Sequence, residues 1–400
     1  MSSIKYSASV HRAFAAVQDA LDGLGLEPDD LVLVACSGGA DSLALAVAVA
    51  QAAKRVGRTT RRKGYCIRAG AVIVDHNLHP DSAAVATKTA AYCQQLGLDP
   101  VIIAAVAVDT TSGEGLEAAA RTARYEAFEQ ASRETGAKAI LLGHTMDDQA
   151  ESVLLGLARG SGARSLSGIA PQRGKYLRPF LEVRRRTTEE ICNIFGLEPW
   201  HDPANYLPQG HDICGQKAPQ NHDHVADAKP PVPTRTNIRA TAIPALSAAV
   251  GHDIVPALAR TADLLREDAD ALKQYATDIY EKAQKAASTT TAEQANLALD
   301  IGVLNEAPAA VRTRALRLAM EHLGIRSDRA TRAVTLALDA LVTNWHGQDG
   351  VYLPRNLVAR RIGGILRFDL SEHVAAQTQR APDRHSHRTG TAVEIPERDG

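Results

Sequence analysis

Ser37-Gly38-Gly39-Ala40-Asp41-Ser42 is the stretch of this 400-residue chain in which residue type and spacing most directly imply chemistry. Two successive glycines remove the bulk that would hold an anion off the main chain, so consecutive backbone N–H groups can wrap phosphate oxygens. The hydroxyls of Ser37 and Ser42 can add donors. Asp41 is out of place beside a phosphate unless it holds a magnesium ion or orients the loop. A Walker loop would place Lys beside Ser or Thr here, and a dinucleotide-binding turn would space three glycines differently.

Two further polar clusters follow apolar runs. Asp75-His76-Asn77 ends the run GAVIVD, and His144-Thr145-Met146-Asp147-Asp148-Gln149 follows KAILLG. Thr145 with Asp148 three residues on also fits a helix-capping box, so Asp148 has a structural reading that His144 and Asp147 lack. Glu117, Arg121 and Arg124 share a helix face, for which a surface ion pair is the simpler account. His211, Cys214, His222 and His224 match no standard zinc spacing, and no metal site is assigned.

The elements that must position these residues are legible from pattern. Leu31 to Cys36, Gly70 to Asp75, Val101 to Val108 and Lys138 to Gly143 are short apolar runs, the mark of strands covered on both faces. Helical spacing separates them, at Asp41 to Val56, Asp81 to Gly97 and Leu116 to Ala131, with a further helix ahead at Val10 to Leu24. This alternation predicts an α/β fold with a doubly wound parallel sheet. Ligands then bind beyond the carboxyl ends of the strands, which puts the three polar clusters on one rim.

A glycine-containing basic segment, Arg159 to Arg186, reads as a flexible rim loop leading to a helix at Val183 to Phe195. Residues 206–233 are rich in His, Asp, Gln and Pro and read as a mobile insertion. From residue 236 the chain becomes helical and Ala-rich, with arginines at helical spacing (Arg312, Arg314, Arg317; Arg326, Arg329, Arg332) suited to phosphate contact. Val351 to Leu370 reads as a hairpin turning at Gly363-Gly364. The expected organisation is a catalytic domain over 1–235, a smaller mainly helical domain over 236–370, and a disordered tail over 371–400.

Charge is nearly balanced at net −1. Lys54 to Arg68 and Arg159 to Arg186 are nevertheless strongly basic, as a polyanion partner would require. The five cysteines are scattered and without a CxxC pair, which fits a reducing compartment. No secretory pattern or membrane-length apolar run is present, and a cytoplasmic location is expected.

The loop Ser37 to Ser42 resembles the signature of PP-loop ATP pyrophosphatases. Taken with Val74-Asp75-His76-Asn77, Leu116 to Arg121, Gly143 to Glu151, Arg159-Gly160-Ser161-Gly162, Leu177 to Leu181, Asp202-Pro203-x-Asn205 and Arg235 to Arg239, the chain resembles the tRNA(Ile)-lysidine synthase family. The resemblance departs at residues 206–233, where family members keep a short connection.

The resemblance implies ATP-dependent ligation of free L-lysine to the anticodon wobble cytidine of isoleucine tRNA with a CAU anticodon. An adenylated cytidine is the intermediate, and AMP and pyrophosphate are the products. ATP is the co-substrate, with Mg²⁺. Ser37, Gly38, Gly39, Ala40, Asp41, Ser42, Asp75 and His76 are then expected to bind the nucleotide. Asp41, Arg121, His144 and Asp147 are expected to act in catalysis, with His144 or Asp147 as the base for the lysine amine. A homodimer is compatible with the resemblance. The alternatives are another PP-loop tRNA-modifying enzyme, a thiolase needing sulfur-carrying cysteines or an iron–sulfur cluster, and a non-catalytic nucleotide-binding module.

Overall fold

The computed structural model describes residues 6–58, 64–108, 116–160, 162–201, 234–288, 296–326 and 329–371. The insertion at 206–233, Asp202 and Asn205, and the tail from residue 372 lie outside the described residues. The chain divides into two compact units, 1–267 and 268–400.

In the first unit, α1 (Ala8–Asp22) precedes β1 (Leu31–Ala35), α2 (Ala40–Ala52), β2 (Arg68–Asp75), α3 (Ser82–Gln95), β3 (Val101–Ala105), α4 (Leu116–Thr135), β4 (Ala139–Leu142) and α5 (Met146–Ala158). A short α6 (Ala163–Leu166), a hairpin of β5 (Gln172–Arg173) and β6 (Tyr176–Leu177), and a 3₁₀ turn at Pro179–Glu182 lead to α7 (Arg185–Ile194). After the undescribed stretch come α8 (Thr234–Asn237), a π-helical turn at Ile238–Ala242, α9 (Ile243–Val250) and the first part of α10 (Val255–Ser288).

The sheet order is β3-β2-β1-β4-β6-β5. Strands β1 to β4 and β6 are parallel, and β5 adds an antiparallel edge. From β1 the chain winds outward to β2 and β3, then crosses to the other side of β1 to lay down β4. This leaves a topological switch point beyond the β1 and β4 tips.

Alternation along β1 serves two cores. Val32, Val34 and Cys36 pack with α1, α2 and α7, while Leu31 and Leu33 pack with Val72, Phe128 and Ile140. Both faces are buried, as the continuous apolar run requires. Helix α2 is apolar almost all round because it is covered all round: Leu43, Leu45, Val47 and Val49 are at most 1% exposed. The phosphate loop is therefore fixed at both ends by rigid elements.

In the second unit, the rest of α10, α11 (Ile301–Glu306), α12 (Ala309–His322) and α13 (Arg332–Thr343) accompany β7 (Leu297–Asp300), β8 (Val351–Leu353), β9 (Leu357–Ile362) and β10 (Ile365–Leu370). These strands form an antiparallel sheet ordered β7-β10-β9-β8, with Ile362 opposite Ile365 across the Gly363-Gly364 turn. The expected hairpin is thus the centre of a four-stranded sheet. Leu299, Leu316, Met320, Leu338, Leu366 and Phe368 form its core.

Arg312 corrects a sequence expectation. Only 8% exposed, it donates to Asp339 through Nε at 2.6 Å and to the Ala307 carbonyl through Nη1 at 2.7 Å. It pins α12 to α13 and is not available to phosphate.

Residues 236–267 group with the first unit. No single helix among the described residues is long and apolar enough to cross a membrane.

Candidate active site

The loop after β1 is held by a side chain of its own sequence. The Ser37 amide donates to Ser42 Oγ at 3.1 Å, and Ser42 Oγ donates to the Gly39 carbonyl at 2.9 Å. Ser42 is 7% exposed, so its hydroxyl shapes the loop, while Ser37 is exposed. Gly38 adopts φ +84°, and a Cβ there would lie 2.6 Å from Thr89 Oγ1 on α3. Gly39 is the N-cap of α2 with no side-chain cap, which leaves the first-turn amides of α2 to a ligand's oxygens.

Gly143 explains how the β4 tip reaches this loop. A Cβ on Gly143 would sit 3.0 Å from the Asp41 carbonyl carbon and oxygen and 3.1 Å from the Ser42 amide nitrogen. Just beyond it, Thr145 and Asp148 form the expected capping box of α5: the Thr145 amide donates to Asp148 Oδ2 at 2.8 Å, and the Asp148 amide donates to Thr145 Oγ1 at 3.4 Å.

One side of the site is built from carboxylates. Arg185 faces Asp41 at 3.3 Å, Asp148 at 2.8 Å and Glu151 at 3.5 Å. Glu151, with no exposed side-chain surface, also accepts from Arg239 Nε at 2.6 Å and Nη2 at 3.2 Å. Asp147 accepts from Arg184 Nε and Nη2, each at 3.1 Å, and from the Arg185 amide at 2.8 Å. Arg184 is itself paired with Asp253.

These surroundings set the carboxyl groups apart. Burial raises the Asp41 pKa to about 6, against the opposing pull of the Arg185 charge and with the added push of Asp148. Burial also acts on Asp148, but there Arg185, the Thr145 amide and His144 outweigh it and hold the group below its ordinary value. Asp147 accepts on both oxygens and anchors the start of α7.

The other side is cationic. Burial lowers the His144 pKa to about 4; Arg178, Arg124 and Arg121 push the same way and Asp148 opposes them. Burial and then Arg124 also lower the His76 pKa. Arg121 lies over the Tyr125 ring, 5.1 Å from its centroid, and Arg178 Nη2 is 3.5 Å from the Tyr125 hydroxyl.

Three buried polar atoms here have no hydrogen-bond partner among the described residues: His76 Nδ1, His144 Nδ1 and Arg178 Nε. Buried polar groups are ordinarily hydrogen-bonded, so three together at the tips of β2, β4 and β6 mark a place shaped for a polar ligand.

The PP-loop domain model matches residues 8–209. The chain is 43% identical over 344 residues to the tRNA(Ile)-lysidine synthase of Leifsonia xyli subsp. xyli, a match covering 86% of this chain and 91% of that protein. It is 44% identical over 339 residues to the tRNA(Ile)-lysidine synthase of Thermobifida fusca, covering 85% and 91%. It is 43% identical over 345 residues to the Streptomyces coelicolor tRNA(Ile)-lysidine synthase, covering 86% of each chain.

The chain belongs to the tRNA(Ile)-lysidine synthase family.

Within a lysidine synthase framework, the structure brings the sequence-predicted residues Ser37 to Ser42, Asp75, His76, His144 and Asp147 to neighbouring tips of one sheet. Asp75 accepts from the Asn77 amide at 2.9 Å, which folds the β2 tip back on itself with Asn77 at φ +51°. Arg121 comes from α4 and reaches this rim electrostatically through His144.

Sequence reasoning missed Arg185, Thr188, Glu151 and Arg178 as site residues. Glu151 had a signal, since it lies four residues after Asp147 and three after Asp148 on one helix face. The basic segment expected to be a flexible loop is instead tied down. Gln149 Nε2 donates to the Ile169 carbonyl at 3.1 Å, the Ile169 amide donates back to Gln149 Oε1 at 2.6 Å, and Arg178 Nη1 donates to the Ala170 carbonyl at 2.9 Å.

Proposed function

We propose that the chain ligates free L-lysine to the wobble cytidine of isoleucine tRNA bearing a CAU anticodon. The reading is supported by the names of its relatives and, above all, by the polarity of the site. A glycine loop at the β1 tip is flanked by arginines and neutral histidines on one side and by four carboxylates on the other. Polyanionic ATP and a cationic amino acid need those opposite environments at adjacent positions.

In the first step the carbonyl oxygen of cytosine attacks the α phosphate of ATP, and pyrophosphate leaves into the loop amides around Gly38 and Gly39. Arg121 and Arg178 supply positive charge on this side, the usual protein contribution to phosphoryl transfer. His144, neutral above a pH of about 4, offers its free Nδ1 to a ligand without carrying a charge of its own.

In the second step the lysine ε-amine attacks the activated ring carbon, the bond to the adenylate oxygen breaks, and AMP departs. An amine with an ordinary pKa near ~10.4 is almost wholly protonated at neutral pH and must lose its proton first. Asp41, with a pKa of about 6, is the carboxyl group best matched to accept it. Asp148 and Glu151 hold the ammonium beforehand.

Magnesium bound with ATP would neutralise phosphate charge, and a carboxylate beside the loop is the kind of oxygen ligand it would take.

The second unit offers Arg317, Arg329 and Arg332 as exposed contacts for the tRNA backbone. We place the reaction in the cytoplasm.

The test mixes the protein with ATP, magnesium, labelled lysine and a CAU isoleucine tRNA transcript, beside its methionine counterpart. Label incorporated into the isoleucine transcript is the expected result. Incorporation into neither transcript would reject the reading.

A further inference from the structure

Arg185 spends each guanidinium nitrogen on a different carboxylate. Nε faces Asp41 at 3.3 Å, Nη2 donates to Asp148 at 2.8 Å, and Nη1 lies 3.5 Å from Glu151. Its amide donates to the fourth carboxylate, Asp147, at 2.8 Å. Its carbonyl accepts from the Thr188 hydroxyl, which also reaches Asp41.

The partners belong to separate parts of the site. Asp41 opens α2 directly behind the phosphate loop, whereas Asp148 and Glu151 line α5. Arg239 also faces Glu151 at 2.6 Å and Asp148 at 3.7 Å, so two guanidinium groups serve three carboxylates and Arg185 is the one shared between Asp41 and the α5 pair; what it gives to one side it withholds from the other.

We infer that Arg185 is a positioning residue that couples the binding of ATP at the loop to the binding of a cationic amino acid at the α5 carboxylates. The inference rests on the proposed assignment of those two places to ATP and lysine.

The direction of coupling follows from the charges. Phosphates arriving beside Asp41 draw the guanidinium toward the loop and away from Asp148 and Glu151. The α5 carboxylates then present more uncompensated negative charge to an ammonium. An ammonium seated there in turn replaces Arg185 as their counter-charge and frees it for the phosphates. Each ligand removes the other's competitor, and linkage makes the effect equal in both directions.

Lysine cannot substitute at position 185, because its compact ammonium can serve one carboxylate but not three in a plane. A purely structural Arg185 would lower stability on replacement without changing how the two ligands affect each other.

The experiment measures dissociation constants for L-lysine, and for a non-hydrolysable α,β-methylene ATP analogue with magnesium, each alone and in the presence of the other. Wild type is compared with R185K and R185Q by calorimetry at one ionic strength. In the wild type each ligand should tighten the other by about fivefold or more. In R185K the factor should fall to near one while both ligands still bind, and R185Q, which removes the charge, gives the same reading should R185K not fold.

A wild-type coupling factor retained in either variant overturns the inference and leaves the ligand assignment standing, as does a wild type that binds both ligands independently. A wild type that binds neither ligand overturns the proposed function and the inference with it.

Discussion

Arg239 closes on Glu151 across 88 residues of chain, with Nε 2.6 Å from Oε1 and Nη2 3.2 Å from Oε2. Glu151 has no exposed side-chain surface, and Arg239 sits in the π-helical turn at Ile238–Ala242. A single π turn inside otherwise α-helical backbone commonly accompanies a functional position, and here it carries the arginine that meets the buried carboxylate.

Removing Arg239 leaves Glu151, among the described residues, with the longer 3.5 Å contact to Arg185. Arg239→Ala should cost about 3 kcal/mol of stability in urea unfolding. Arg239→Lys, which keeps the charge but loses the fork, should recover part of it. An unchanged midpoint in Arg239→Ala would show that the pair carries no net stability.

Asp41 makes stability fall as pH rises. Its ordinary pKa of 3.8 becomes about 6 in the fold, chiefly through burial. Between those values the folded protein keeps a proton that the unfolded chain has released, so the cost grows with pH and is complete above about 6. Asp41→Asn should therefore be more stable than wild type by on the order of 2 kcal/mol at neutral pH, with the difference vanishing toward pH ~4. It should also lose ligation activity. Melting curves of the two proteins across that range check the sign.

His144 acts in the opposite direction. Its pKa of about 4 lies below the ordinary 6.5, so the unfolded chain binds the proton first as pH falls, and stability is lost between 6.5 and 4. His144→Gln should be less sensitive to acid over that window. An imidazole resonance followed by NMR should remain neutral down to about pH 5; a midpoint near 6.5 would contradict the cause assigned to the shift.

Gly143 separates packing from chemistry. A methyl at this position meets the Asp41 carbonyl at 3.0 Å, and backbone cannot swing aside as a flexible side chain can. Gly143→Ala should displace the β4 tip from α2, costing about 1–3 kcal/mol. The KM for ATP should rise about tenfold or more, since misplacing a bound group by a fraction of an ångström suffices. Wild-type kinetics in this variant would show that the tight approach is incidental.

The strand tips were legible because their signals are local. GGADS, DHN and HTMDD each follow an apolar run within a few residues, and a parallel sheet brings such tips to one rim whatever its exact register. What holds the site was not legible, because Arg185 meets Asp41 over a separation of 144 residues and Arg239 meets Glu151 over 88. No periodicity links positions so far apart. Arg312 misled for a related reason: an arginine at helical spacing looks the same in sequence whether it faces solvent or Asp339. Strand β7 was missed because four residues between helical segments leave too short an alternation to read.

The base for the lysine amine illustrates the same limit. His144 or Asp147 was expected in that role from the strand tip alone, and the sequence could not show that Asp147 accepts from Arg184 and the Arg185 amide. The raised pKa of Asp41, produced by burial against α7, depends on packing that no motif displays.

The central claim is that one site first places AMP on the RNA and then lets an amine remove it. Its most direct test uses ATP labelled at the α phosphate and a CAU isoleucine tRNA transcript without lysine, followed by a chase with unlabelled lysine. The account expects label to accumulate on the RNA and then to appear as free AMP when lysine is added. RNA that never acquires label, or label that lysine fails to release, would contradict it.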